Sequence, residues 1–158
     1  MAYFRLRGEA RDFFKSIRPQ LELDLDVYYF CLQAGLAVRR KADEPEHATD
    51  LVDYFPGDYK RNSRLIVALF LSRELHELGV SMTERTSVHK AIRGFIDPLS
   101  PSHLSDAGTK QLNRYAYGGY DVLNEWFDER PRHLETFLPL YHNKLEQAFA
   151  GASVEDDG

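Results

Sequence analysis

The residues best placed to do chemistry lie in one nine-residue stretch, Asn113-Arg114-Tyr115-Ala116-Tyr117-Gly118-Gly119-Tyr120-Asp121. An amide, a guanidinium and phenol hydroxyls in one place can all bond phosphate oxygens, which fixes a duplex in register without reading its bases. Cations recur elsewhere. Arg7, Arg11, Lys15 and Arg18 follow at spacings of four, four and three, which a helix places on one face. Arg39-Arg40-Lys41 close a second helix, and Lys90 and Arg93 face outward from a fourth. Each group has a plainer role: a charged stripe also serves as a solvated face, and cations at a helix C-terminus suit its dipole.

Motifs for bond-breaking chemistry are missing. His76-Glu77 begins like a zincin signature, but Val80 stands where the second histidine ligand belongs. Gly118-Gly119 lacks the spacing and the following lysine of a phosphate loop, and no Gly-x-Ser-x-Gly elbow occurs. The single cysteine, Cys31, excludes an internal disulfide and a cysteine-rich zinc site. The expectation is therefore no catalytic residue, no metal and no cofactor. A site assembled from distant residues, such as His76 with Asp121, keeps an independent hydrolase as the third-ranked reading.

The elements that position these residues read as helices. The chain has 158 residues, 43% of them hydrophobic, which suits one folded helical domain over 1–150. Residues 151–158 carry Glu155, Asp156 and Asp157 without a cation and read as a flexible acidic tail. That tail contributes much of the net charge of −5, a balance that argues mildly against a freestanding nucleic-acid binder. The opening residues lack a signal-peptide core, and the longest apolar run, 65–71, is far too short to span a bilayer. A cytoplasmic protein without a membrane partner is expected.

In order, 4–7 reads as a short extended piece and 8–17 as a helix ended by Pro19. A central core helix runs from Asp24 or Asp26 to about Arg39, and a short helix is expected over 49–54. The third main helix covers 59–78 and stops at Gly79; its apolar middle calls for enclosure on several sides or for a second subunit. Ser81 with Glu84 matches a capping box for the next helix, and Ser105 caps the one after it. Gly118-Gly119 is expected to end that helix in the left-handed conformation, so that 120–127 starts a new one at a sharp corner. Pro131 opens the last helix. The fold class is all-α, a compact multi-helix bundle with at most one short N-terminal strand.

Two segments resemble the E subunit of bacterial Dnd-type DNA phosphorothioation systems. One is Phe4-Arg5-Leu6 leading into a basic helix and then an apolar helix with Cys31. The other is Asn113-Arg114-Tyr115 followed by Gly119-Tyr120-Asp121, with a closing helix holding Tyr141-His142-Asn143. The likeness covers about half the chain and leaves out 42–105. It implies a small helical protein that oligomerises and binds double-stranded DNA, nicked duplexes included, beside a sulfur-transfer or nuclease subunit and a larger ATPase. The leading expectation is a non-enzymatic DNA-binding accessory subunit of a DNA-modification or anti-phage defence complex. Its contact residues are Arg7, Arg11, Lys15, Arg18, Arg39, Arg40, Lys41, Lys90, Arg93, Asn113, Arg114 and Tyr117. The alternative is a protein-only adaptor that docks a larger ATPase or nuclease.

Overall fold

Fifteen residues without proline, apolar on almost every side, form the helix around which one part of the chain is built. This is α2 (Asp24–Val38) in the computed structural model, which describes residues 2–157, the side chains of 152–157 excepted. The order is β1 (Arg5–Arg7), α1 (Gly8–Phe13), α2, β2 (Ala48–Asp50), α3 (Asp58–Glu77), α4 (Arg85–Phe95), α5 (Asp106–Trp126) and α6 (Leu134–Asp157). The architecture is mostly helical, an all-α bundle in which the short N-terminal strand belongs to one two-stranded sheet. No helix among the described residues is long and apolar enough to cross a membrane. The chain gathers into two units, one of Met1–Phe4 with Val52–Leu112 and one of Arg5–Leu51 with Asn113–Gly158.

In the second unit, β1 pairs antiparallel with β2, Arg5 opposite Asp50 and Arg7 opposite Ala48. The short helix expected over 49–54 is thus replaced at its start by a strand. Leu6 is buried between two half-buried arginines, an alternation too brief to read along the sequence but one that needs a partner strand for its backbone groups. Helix α1 ends at Phe13, earlier than expected, and Pro19 sits in a single 3-10 turn, Arg18–Gln20. Phe14, Phe30, Phe137 and Tyr141 then build an aromatic core, with Phe14 stacked on Phe30 at 5.4 Å and Phe137 edge-on to both, at 5.5 and 5.3 Å. Phe137, Tyr141 and Leu145 lie buried four residues apart along α6. That helix opens at Leu134, with Pro131 before it, and its backbone stays helical to Asp157 where a tail was expected.

The largest correction concerns Gly118-Gly119. Helix α5 runs straight through both glycines, and among the described residues the only positive-φ glycines are Gly57 and Gly79. The pair is there for space. A Cβ on Gly119 would stand 1.6 Å from the Cys31 carbonyl oxygen, one on Gly35 1.9 Å from the Tyr115 oxygen, and one on Gly118 2.4 Å from the Arg40 oxygen. Cys31 thus faces Gly119 while Gly35 faces Tyr115, so α2 and α5 cross antiparallel with their backbones in contact. Glycine is the residue that permits such an approach.

In the first unit, α3 stops where expected. Gly79 has φ +72, its amide donates to His76 and the Val80 amide donates to Leu75, both bonds of a Schellman motif. Ile66 and Phe70 are buried, but Leu65 is 72% exposed, so the apolar middle of α3 is enclosed on one side only. The capping box at Ser81 does not form: α4 begins at Arg85, and the Ser81 hydroxyl serves the Thr83 amide at 3.3 Å. Ser105 does cap α5, accepting from the Gly108 amide at 3.0 Å while donating to the Gly94 carbonyl at 2.7 Å.

Gly119→Ala should therefore lower the melting point by a loss of about 1–3 kcal/mol or more, the usual effect of overpacking. Gly94→Ala, whose Cβ meets nothing within 4 Å, should raise it by about 0.5–1 kcal/mol. Thermal melts of both variants check the assignment, and an unchanged Gly119→Ala would refute the crossing.

Candidate nucleic-acid interface

The expected corner is the middle of a buried helix. Asn113 and Tyr117 are each 3% exposed, so neither offers surface to a duplex. The Asn113 side chain is a tie: its Oδ1 accepts from the Arg5 amide at 3.1 Å and from the Tyr28 hydroxyl at 2.8 Å. It joins β1, α2 and α5 with one amide group. Burial pushes the phenols of Tyr28 and Tyr117 above their ordinary range, so both act as neutral groups. Arg114 is half-exposed and reaches Asp43 at 3.4 Å.

Five of the cations named from the sequence, Arg7, Arg11, Arg18, Arg40 and Arg114, have acids beside them. Arg7 bonds Asp121 at 3.1 Å and Glu9 at 3.0 Å, donates to the Tyr117 carbonyl at 3.0 Å, and lies 4.8 Å over the Tyr120 ring. Burial disfavours its charge, yet Asp121 and Glu9 outweigh that and leave its pKa raised. Asp121 is thereby taken by Arg7, not by Arg114. Arg18 bonds Asp24 at 2.8 Å and Arg11 approaches the same carboxylate at 3.7 Å. Arg11, Lys15 and Arg18 rim a concavity of about 190 Å³ floored by Leu6 and Val27. Arg7 is not on that rim, because it precedes α1 and the helical stripe is broken at Phe13. Lys15 makes no ion pair among the described residues.

Behind α2, Arg39 takes the left-handed conformation at φ 62 and turns the chain over α5. Arg40 then bonds Glu125 at 2.6 Å, and Lys41 lies 5.2 Å over the Tyr115 ring. Lys90 and Arg93 stand exposed on α4. With Arg85 on the same side of that helix they form a cationic face, and none of the three makes an ion pair among the described residues. Arg85 was missed, as were Lys60, Arg61 and Arg64 on α3, although their spacing on an exposed helix was visible. Of the acids that neutralise the other cations, Asp43 and Asp121 come from distant parts of the chain, while Glu9 and Asp24 lie close by in sequence.

Cys31 is buried and its thiol is pushed from 9.0 up to about 12 by burial. It serves as a small apolar residue of α2. The folded thiol keeps its proton where the unfolded one loses it, so its contribution to stability is intact below pH 9 and fades as pH rises towards 12. Urea melts should lose stability over that interval, and Cys31→Ala should lose less; identical slopes would contradict the buried thiol. Asn113→Ala should cost about 1–3 kcal/mol, since it strips an acceptor from two donors.

Comparison of the chain with protein-family models, with curated proteins and with solved structures finds no match.

Proposed function

We propose that this protein is a non-enzymatic DNA-binding accessory subunit of a prokaryotic DNA-modification or anti-phage defence complex, of the phosphorothioation type that its sequence resembles, and that it holds the duplex through α4. The observation that carries this reading is the outward face of α4. Arg85, Lys90 and Arg93 are exposed, α4 contains no acidic residue, and no carboxylate among the described residues neutralises them. A helix so charged tracks phosphates, and each phosphate it neutralises releases condensed counterions from the duplex. Lys15, also without an acid partner among the described residues, remains available for such a contact in the N-terminal segment.

A protein-only adaptor is the second reading. It is favoured by the internal pairing of Arg7, Arg11, Arg18, Arg40 and Arg114, which leaves the second unit with few cations to spare. Duplex binding separates the two. The parent should bind a 20-bp duplex at about 50 mM salt, with a log–log salt slope that flattens by about 0.9 for each α4 cation removed. The Arg85→Ala/Lys90→Ala/Arg93→Ala variant should melt like the parent and show that flattening. A parent that fails to bind at low salt, or a variant with an unchanged slope, would displace DNA binding in favour of the adaptor.

A further inference from the structure

The first unit carries a groove that the DNA reading does not use. Helix α3 walls it with Arg64, Val67, Ala68 and Leu71, and Ile96 and His103 face them; its volume is about 350 Å³. The opposite wall is tightly built. Asp97 donates its amide to the His103 carbonyl at 3.0 Å, the His103 amide donates to Ser100 at 3.1 Å, and the Ser100 hydroxyl donates to Leu104 at 2.7 Å. His103 itself holds a left-handed φ of 64, and Leu99 at the tip of this loop is 95% exposed. The wall is thus fixed before any ligand arrives.

Along α3, Lys60, Arg61 and Arg64 fall on the same side as Val67, Ala68 and Leu71, given 100° of turn per residue. All three cations are exposed and make no ion pair among the described residues. The face is therefore cationic over its first turns and apolar over the next, about 16 Å in length at 1.5 Å per residue. That matches about three turns of a guest helix laid in a groove, its apolar side chains on the floor and its charges at the rim. The guest's rim charges must be negative.

The geometry points to a docking site for an acidic amphipathic helix of a partner protein, seated in the α3 groove between Leu71 and Arg64 with its carboxylates against Lys60, Arg61 and Arg64. This surface is separate from the α4 cations and stands whether or not α4 binds DNA. Electrostatic complementarity of this kind sets partner choice and association rate, while the apolar floor supplies the affinity.

A synthetic 16-residue helix with leucines at i, i+3 and i+7 and flanking glutamates provides the probe, beside a twin with lysines in place of the glutamates. Fluorescence anisotropy should show the acidic peptide binding the parent and the basic twin binding at least about tenfold more weakly. Arg61→Glu/Arg64→Glu, which alters exposed side chains only, should reverse that order. Ala68→Glu should abolish binding of the acidic peptide. The Arg85→Ala/Lys90→Ala/Arg93→Ala variant should bind the acidic peptide as the parent does, so a failure here is distinct from a failure to bind DNA. Equal binding of the two twins, or no binding of either, would overturn the proposal. So would a dimer in sedimentation that Ala68→Glu dissociates, since the occupant would then be a second copy.

Discussion

The contact between the backbones of α2 and α5 is the constraint on which the second unit depends. Three glycines, Gly35, Gly118 and Gly119, each face a carbonyl oxygen that a single added carbon would strike. Close approach puts Cα hydrogens against carbonyl oxygens, a weak attraction repeated along the crossing. More importantly it sets the depth of everything nearby. Tyr115 and Tyr117 are pressed into the core, Cys31 is sealed, and the Tyr28 hydroxyl comes within reach of Asn113. The left-handed turn at Arg39 follows from the same contact. A non-glycine residue there costs about 1–2 kcal/mol, and the turn lays the Arg40 carbonyl against Gly118, where no side chain stands in its way.

This packing also decides what the cations can do. Arg7 is locked by two carboxylates, a carbonyl and an aromatic face, and releasing it would strand Asp121. The pair of Arg114 with Asp43 is different. It is long and largely exposed, a kind of pair worth about 0–1 kcal/mol that a polyanion can exchange at small cost. On α3 and α4, in the middle of the sequence, exposed cations without an acid to displace among the described residues cluster: Lys60, Arg61 and Arg64 on one helix, Arg85, Lys90 and Arg93 on the other. Two surfaces result in that unit, a charged one on α4 and a mixed cationic and apolar one on α3, and they call for different partners.

Helix content was legible because α2 is a long apolar run without proline, because the apolar spacing in α6 is regular, and because Gly79 and Ser105 give clear end signals. The glycine pair was not. Two glycines in sequence read equally as a stop or as space for a neighbour, and the neighbour, Cys31 in α2, lies 88 residues earlier. The strand at 48–50 was hidden for a related reason, since its evidence is a three-residue partner on the far side of α1 and α2 in the sequence. The candidate site suffered most. Spacing along one segment located Arg7, Arg11, Lys15 and Arg18, but it does not show that the chain turns after α1 to bring Asp24 to Arg11 and Arg18, nor that Asp121, 114 residues on, reaches Arg7. Lys90 and Arg93 were read as outward-facing from the apolar spacing of Val88, Ile92 and Phe95, a local signal, and both are exposed.

The central claim is that polyanion binding resides on α4 and not at the buried stretch around Asn113. A titration of the 15N-labelled protein with a short duplex at low salt, followed by amide chemical-shift changes, tests it most directly. The account predicts progressive shifts at 85–95, reversed by added salt, with 113–121 unmoved. Shifts concentrated at 113–121, or none anywhere at saturating duplex, would contradict it.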